Sequence, residues 1–346
     1  MSARAGASAT VPTGPNARAN PRALIGVPLY NGGAHLAPAL DSLLGQEGPA
    51  LALVLVDDCS SDGTPDVARS YAAADPRVSY ERNASRLGLV GNWRRAYERA
   101  CELHPEAPYF AWGSDHDVWR PGWLAALVEE LDGHPEAVGA YPQSVDIDAH
   151  GVVSEETWSF DTRGIRRPRA RVRAATNGMA AGKMVYGLFR AEAVARAGTF
   201  RFVLNPDRLF LAELAAQGEL RQVPEVLWHR RLDRTVSIAR QRAAFFPAGA
   251  PLYSRLPWWL VHTAALAWAL AVRGQGDPAQ GPADRLTVAL EHARAVSAFA
   301  VRRRIGHAAR LWRLSVRRAR RGRRALKRRQ KRMRVAAGAL VGRGRS

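Results

Sequence analysis

The chain reads Val-Asp-Asp-Cys-Ser-Ser-Asp-Gly-Thr at residues 56–64, and this stretch joins an apolar run to an amphipathic one. The run before it, Leu51–Val56, has no polar side chain, which is typical of a strand in the centre of a parallel sheet. After it, Thr64 and Pro65 are residue types that favour the first turn of a helix, with Thr64 as the N-cap. A buried strand followed directly by a helix indicates a parallel sheet with crossover helices.

The same alternation extends outward on both sides of this stretch. Upstream, Ala23–Leu29 is predicted as a strand, and the leucines at positions 36, 40, 43 and 44 share one face of a predicted helix. Downstream, the predicted strands are Val78–Glu81, Tyr109–Trp112, Val138–Tyr141 and Met184–Phe189. Pro121 is predicted to open a helix, Arg163–Arg173 to form a basic loop, and Asp207–Gln217 to form a helix. The fold class that these elements predict is α/β.

Polar side chains follow three of the predicted strands. The chain reads Val-Pro-Leu-Tyr-Asn at residues 27–31, which places Tyr30 and Asn31 after the first strand. Asp57 and Asp58 follow the second strand, and Trp-Gly-Ser-Asp-His-Asp at residues 112–117 follows a later one. Ligands of open α/β sheets bind beyond the carboxyl ends of the strands, so these groups are expected at one ligand site. A tyrosine there can stack on a base, and adjacent buried acids require donors such as base N–H groups or sugar hydroxyls.

Asp115 and Asp117 form an Asp-x-Asp pair on a predicted turn. Such a pair can hold one hard cation, Mg²⁺ or Mn²⁺, while leaving positions open for phosphate oxygens. A cation held in this way neutralises charge on a diphosphate leaving group. His116 between them is interpreted as a neutral side chain that packs beside the acids and tunes the site. The alternative for the pair is a solvated loop.

These three motifs, in this order, resemble those of the family-2 glycosyltransferases, and the resemblance covers about Ala23–Ser237. It implies the GT-A nucleotide-diphospho-sugar transferase fold, a Rossmann-like, mixed, mostly parallel sheet flanked by helices. It also implies inverting transfer of a sugar from a nucleotide diphosphate sugar to an acceptor hydroxyl. The positions that the resemblance places around the donor nucleotide and its sugar are Pro28, Tyr30, Asn31, Asp57, Asp58, Asn83, Gly88, Asn92, Ser114 and Asp115. The implied ligands of a divalent metal are Asp115 and Asp117.

The resemblance places a catalytic base in Asn-Pro-Asp-Arg-Leu-Phe at residues 205–210, where Asp207 would take the proton of the acceptor hydroxyl. Many family members carry Glu-Asp here, so the Pro-Asp of this chain leaves Glu213 as the alternative base. An acid that only interacts with the helix dipole is the structural alternative for Asp207. In Trp228–Ser237, basic residues would reach the diphosphate, and His229 is either a third metal ligand or a solvated or core histidine.

The net charge of +20 is concentrated at one end of the chain, because residues 293–346 contain 20 Arg and Lys and no acidic residue. Apolar residues recur there at spacings of three and four among arginines, which is typical of a helix on an anionic membrane surface. A partner protein or disorder is the second interpretation. Nucleic acid is disfavoured, because no base-reading motif accompanies the charge.

The predicted organisation is a disordered leader (1–22), a GT-A domain (23–240), a helical segment (241–300) and a basic tail (301–346). The uncharged segment Leu256–Val272 is expected to be a buried or membrane-surface helix, with a membrane-spanning helix as the alternative. The leader does not look like a signal peptide, and two cysteines suit a reducing compartment. We therefore expect a cytoplasmic protein on the inner face of the membrane, with a glycan or lipid-linked glycan as acceptor in cell-envelope or surface polysaccharide or glycolipid synthesis.

Two other functions compete with this prediction. A nucleotidyltransferase would carry a Gly-rich loop with a basic residue after the first strand, and Val27–Gly33 contains no basic residue. The second competitor is a binding protein in which the GT-A domain is catalytically vestigial and the basic tail recruits a partner. The acids at positions 58, 115, 117 and 207 favour the enzyme over this alternative.

Overall fold

A computed structural model describes residues 20–148, 151, 157–231, 238–276 and 280–301, without the side chains of residues 238–241. The chain divides into two compact units, Met1–Ala295 and Val296–Ser346, of which the first contains the sheet. Most of the predicted leader (1–22), the end of the closing segment (232–237) and the basic tail beyond residue 301 lie outside the described residues.

The described strands form one mixed sheet. They are β1 (Ala23–Leu29), β2 (Leu51–Asp57), β3 (Val78–Arg82), β4 (Tyr109–Trp112), β5 (Val118–Trp119), β6 (Ala137–Ile147), β7 (Leu188–Arg190) and β8 (Glu219–Arg231). Their order across the sheet is β3-β2-β1-β4-β7-β6-β8-β5. The pairs β3-β2, β2-β1, β1-β4 and β6-β8 are parallel, and β7 runs antiparallel to both of its neighbours. Because β1, β2 and β4 are parallel neighbours, the three polar motifs that follow them share one edge of the sheet.

Helices cover both faces of the sheet. They are α1 (Leu36–Leu44), α2 (Thr64–Ala74), α3 (Gly88–Leu103), α4 (Trp123–Gly133), α5 (Pro168–Gly178), α6 (Ala181–Met184), α7 (Ala191–Ala197), α8 (Pro206–Gln217), α9 (Ile238–Phe245), α10 (Trp258–Ala267) and α11 (282–301). Alternate residues of β1 point to opposite faces, so Leu24 packs with α3 and α8 while Ile25 packs with α1 and α4. The predicted α/β sheet flanked by helices is confirmed.

Four local predictions are wrong. Gly63, not Thr64, is the N-cap of α2, and α4 begins at Trp123 because Gly122 adopts φ = 85° immediately before it. The predicted basic loop is largely α5, which begins with a proline in its first turn. The predicted strand Met184–Phe189 begins with the end of α6, and only its last two residues belong to β7.

The apolar segment predicted at Leu256–Val272 is helical for most of its length. The helix α10 continues into a more widely wound turn at Trp268–Val272. Among the residues that the structure describes, no helix is long and apolar enough to cross a membrane.

Candidate active site

The loop after β1 is held in place by the loop after β2. Three consecutive amides of the first loop donate to oxygens of the second, namely Asn31 N to Ser60 Oγ (3.0 Å), Gly32 N to Thr64 Oγ1 (2.8 Å) and Gly33 N to Asp62 Oδ2 (3.1 Å). In return, the Ser61 amide donates to Asn31 Oδ1 at 2.9 Å. Asn31 adopts φ = 53°, a conformation that asparagine tolerates better than most residues. The Thr64 hydroxyl therefore accepts a bond from the first loop and does not cap α2.

Asp57 is completely buried, and groups of the protein surround its carboxylate. One oxygen accepts the Ser60 amide at 2.9 Å, and the other accepts the Tyr80 hydroxyl at 3.2 Å and the Arg82 guanidinium. The carboxylate therefore ties the end of β2 to β3. It does not line the cavity described below.

Asp58, Asn83 and Asn92 form a buried network at the start of α3. Asp58 Oδ1 accepts from Asn83 Nδ2 (3.1 Å) and the Leu87 amide (2.6 Å), and its Oδ2 accepts from the Gly88 amide (2.9 Å). A carboxylate is favoured at this position by the positive end of the helix dipole. Asn83 Nδ2 also donates to Asn92 Oδ1 at 3.0 Å. The three side chains thus hold the loop 83–88 and α3 against the end of β2.

Tyr30 is the exposed aromatic residue of the site, with 41% of its surface accessible. The guanidinium of Arg86 lies over its ring, 3.9 Å from the ring centre. The same guanidinium lies 4.0 Å from Asp58 Oδ2. Arg86 therefore interacts with the aromatic ring and with the buried acid at the same time.

The Asp-x-Asp turn is held by the loop after β1 and by the end of β8. Asp115 accepts from the Tyr30 amide (3.4 Å) and lies 2.6 Å from His116 Nδ1. Asp117 is buried and accepts from the Arg231 amide at 2.7 Å, and Arg231 Nε donates to the His116 carbonyl at 2.9 Å. Burial raises the pKa of the Asp117 carboxyl above its usual range.

Tyr186 lines the cavity, and its ring packs against Trp93 and Trp228, with ring centres 5.4 Å and 5.0 Å away. Burial is the main cause that raises the pKa of its hydroxyl, and the charges of residues 115, 117 and 207 act in the same direction. Asp207 lies in the first turn of α8, where its carboxylate accepts from the Arg208 amide at 2.9 Å, and burial raises the pKa of its carboxyl. Asp207 does not line the cavity.

The two alternative candidates lie elsewhere. Glu213 is buried inside α8, where one oxygen accepts from Arg201 Nε at 2.6 Å. Its other oxygen has no hydrogen-bond partner among the described residues, and burial raises the pKa of the carboxyl to about 8. His229 lies on β8 opposite Val118 of β5, and burial lowers the pKa of its imidazole. Neither residue lines the cavity.

An open cavity of about 540 Å³ lies at the edge where β1, β2 and β4 end. This size is that of a pocket for a small organic ligand. The predicted site residues that line it are Pro28, Tyr30, Asn31, Asp58, Asn92, Ser114 and Asp115. The predicted residues Asn83, Gly88 and Asp117 do not line the cavity themselves.

Among the lining residues that sequence reasoning missed are three with large side chains, Arg86, Trp93 and Tyr186. Arg86 lies in the loop between Asn83 and Gly88, two predicted site residues, so its position in the sequence could have indicated that it belongs to the site. Trp93 follows the buried Asn92 on α3, and helical periodicity alone assigns it to the core. Tyr186 lies in a stretch without readable periodicity, and only the fold brings it to the site.

The donor set fits a divalent cation. Carboxylate oxygens are the ligands that Mg²⁺ and Mn²⁺ prefer, and a cation beside Asp117 would relieve the cost of burying its charge. Within the described part of the chain, no group of three His, Cys, Asp or Glu residues could hold a metal. Mg²⁺ needs only one or two carboxylates when substrate phosphates supply further ligands, so a pair is sufficient.

Comparison with known proteins confirms the resemblance. Residues 24–192, from β1 into α7, match the family model described as "Glycosyl transferase family 2". This segment therefore belongs to the family-2 glycosyltransferases.

Two curated relatives resemble parts of the chain. The teichuronic acid biosynthesis protein TuaG of Bacillus subtilis is 29% identical over 102 residues, which are 30% of this chain and 38% of TuaG. The succinoglycan biosynthesis protein ExoO of Rhizobium meliloti is 41% identical over 143 residues, 40% of this chain and 35% of ExoO. The matched segments thus span less than two fifths of either relative.

A solved structure shares the fold. The S. aureus TarS fragment 1–349 in complex with UDP-GlcNAc superposes with a TM-score of 0.54 at 14% identity, covering 80% of this chain and 72% of that one. This likeness confirms the mixed, mostly parallel sheet of the GT-A type.

Proposed function

We propose that this protein is an inverting glycosyltransferase that moves a sugar from a nucleoside diphosphate sugar to the hydroxyl of a glycan acceptor. The observation that carries the proposal is the cavity at the ends of β1, β2 and β4, which brings Tyr30, Asp58 and Asp115 together. The family match and the fold support it. The names of TuaG and ExoO support a role in surface polysaccharide synthesis.

The nucleoside would bind between the two loops that follow β1 and β2. Tyr30 is partly exposed although Arg86 covers part of its ring, so the ring can still stack on a base. Polar groups beside the ring would then distinguish one base from another. Asp58 has one oxygen with a single hydrogen-bond donor, the Gly88 amide, and so retains capacity to accept a base N–H. The loop contacts described above fix both residues before the ligand arrives, which lowers the entropy cost of binding.

Asp115 and Asp117 would hold Mg²⁺ or Mn²⁺ when the donor binds, and that cation supplies compensation for the charge that develops on the departing diphosphate. The role of the protein's own residues is to orient the two carboxylates. The Tyr30 amide holds Asp115, and the Arg231 amide holds Asp117. Arg231 lines the cavity and adds a positive charge near the phosphates.

Asp207 would take the proton of the acceptor hydroxyl as that oxygen attacks the anomeric carbon. The bond from the anomeric carbon to the diphosphate breaks as the new glycosidic bond forms, so a single displacement inverts the configuration. A raised pKa makes the carboxylate a stronger base than a solvated aspartate, in keeping with this task. Its charge acts on the hydroxyl of Tyr186, which lines the cavity, and this supports a role for Asp207 in the same site.

The proposal is tested by calorimetric titration of the protein with UDP, GDP, dTDP and CDP, each with and without Mn²⁺. One nucleotide should bind in a metal-dependent manner. Binding should be lost in the Asp115→Ala/Asp117→Ala variant and retained in the control Asp66→Ala/Asp284→Ala, which removes two exposed acids. Failure of all four nucleotides to bind a folded sample would refute the proposal. Binding without transfer to any glycan acceptor would favour the vestigial binding protein.

A further inference from the structure

The exposed surface of α10 and of the residues that flank it is apolar. It is formed by Leu256 before the helix, Leu260 and Ala264 on it, and Trp268 and Val272 in the turn that follows, all of which are exposed. We call this set the apolar face. Its largest members have accessible fractions of 53% (Leu256), 43% (Leu260), 45% (Trp268) and 70% (Val272).

The opposite side of the same helix is already used by the core. His262 and Leu266 are buried there, and Ala269 and Leu270 are buried in the turn that follows. A surface helix normally carries polar residues on the side that faces solvent. Here the segment 256–272 has no charged residue on either side, so the apolar face requires an explanation other than packing within this unit.

Arginines stand at both ends of the apolar face. Arg255 precedes it and Arg273 follows it, and both are exposed. The guanidinium groups of Arg273 and Arg201 lie 5.4 Å and 5.7 Å from the Trp268 ring centre, so positive charge stands beside the ring. Residues 234–276 contain five arginines and no acidic residue. A partner that fits this surface therefore has an apolar interior for the apolar face and an anionic outer layer for the flanking arginines.

We propose that the apolar face is a docking surface for an anionic phospholipid bilayer, on which α10 lies parallel to the membrane plane. The helix and its final turn together span residues 258–272, about 22 Å, against about 30 Å for the hydrocarbon core. It therefore lies at the interface and does not cross. Trp268 sits at the depth where tryptophan is enriched in membrane proteins, and the flanking arginines meet the lipid phosphates. The inference is independent of the glycosyl transfer proposed above.

The test is co-sedimentation of the full chain with vesicles of phosphatidylcholine alone and of phosphatidylcholine with phosphatidylglycerol. The test variant is Leu260→Glu/Val272→Glu. Its matched control is Ala73→Glu/Ala74→Glu, which adds the same two charges at exposed positions of α2. Both variants should keep the melting temperature of the wild-type protein, because all four positions are exposed.

Wild-type protein and control should sediment with the anionic vesicles, and the test variant should bind at least about tenfold more weakly, since two large apolar side chains no longer enter the lipid. The difference should persist in about 1 M salt, where the Debye length of about 3 Å screens attraction by the basic tail alone. Equal binding of test and control variants at both salt concentrations would overturn the proposal. So would a wild-type dimer that the test variant makes monomeric without weakening vesicle binding, because the occupant would then be a second copy of the chain.

Discussion

The guanidinium of Arg86 lies 3.9 Å from the centre of the Tyr30 ring and 4.0 Å from the carboxylate of Asp58. One cation thus contacts both groups that the proposed mechanism assigns to the nucleoside. We expect Arg86→Ala to weaken binding of the preferred nucleoside diphosphate by about tenfold, because Tyr30 and Asp58 both lose the cation that holds them in position. Calorimetry measures this change.

The chain offers a matched control for this substitution. Arg69 also lies over a tyrosine, 5.8 Å from the ring centre of Tyr80, but on the exposed surface of α2. Arg69→Ala should leave nucleotide affinity unchanged. An Arg86→Ala protein with wild-type affinity would show that the contact with Tyr30 has no part in the site.

Asn92 joins the ends of two strands through its amide. Its Nδ2 donates to the carbonyl oxygens of Leu29 (3.2 Å) and Val56 (3.0 Å), and all three residues are at the buried end of the sheet. We expect Asn92→Ala to lower the free energy of unfolding by about 2–3 kcal/mol, because buried acceptors are left without donors. Urea denaturation measures this loss. Asn177→Ala, at an exposed position of α5, is the control and should change the midpoint little.

Asp207 is separable from the nucleotide pocket, because it does not line the cavity. Asp207→Asn should lower kcat by at least about a hundredfold while nucleotide affinity stays within about twofold of wild type. Steady-state kinetics and calorimetry together check this. A proportional loss of affinity would instead assign Asp207 to holding the donor.

Two buried histidines should make stability depend on pH. Burial lowers the pKa of His262 to about 4 and of His292 to about 3, and each has a ring nitrogen without a hydrogen-bond partner among the described residues. The unfolded histidines have a pKa of about 6.5, so below that pH the unfolded chain binds more protons than the folded one. Stability should therefore fall as the pH drops from about 7 to about 4.

Urea denaturation across this range measures the effect of the histidine pair. In the variant His262→Gln/His292→Gln, the fall in the unfolding free energy should be visibly shallower. His104→Gln changes a histidine that is not buried and should keep the slope of the wild-type protein. A variant slope equal to the wild-type slope would show that other groups dominate.

The parts of the fold that were predicted from the sequence are those set by local patterns. β1 and β4 were predicted to the residue, since each is a short apolar run that ends at polar or turn residues. α5 was missed because its buried face includes Arg171, whose guanidinium donates to the carbonyls of Ala215 and Arg166. A basic side chain that is satisfied by distant backbone carbonyls breaks the apolar period that a helix otherwise shows.

The candidate site was likewise predicted in part, where local sequence patterns determine it. The residues after β1, β2 and β4 were grouped correctly because parallel neighbours end at one edge of a sheet. The strand pattern could not separate Asp57 from Asp58, since both follow the predicted strand Leu51–Val56, whereas in the structure Asp57 is the last residue of β2. That difference depends on Tyr80 and Arg82, which only the pairing of β2 with β3 brings to Asp57. The position of Tyr186 in the site could not be predicted either, because it depends on how β7 and α8 pack in the folded chain.

Glu213 gives the last prediction, in the opposite pH direction from the histidines. Burial raises the pKa of its carboxyl to about 8 although Arg201 opposes the shift, whereas an unfolded glutamate titrates near 4.3. The folded chain therefore binds more protons between these values, and the stability that this group contributes is lost as the pH rises toward about 8. Relative to Glu213→Gln, wild-type protein should become progressively less stable from about pH 5 to about pH 8. The control is Glu192→Gln, at an exposed glutamate that forms an ion pair with Arg196. For this variant the difference in unfolding free energy from the wild-type protein should stay constant. A constant difference for Glu213→Gln would mean that the carboxyl is ionised throughout and that its bond to Arg201 is what stabilises α8. Because the proposed base is Asp207 and the Glu213 carboxyl is held by Arg201, the Gln variant should also retain transfer activity.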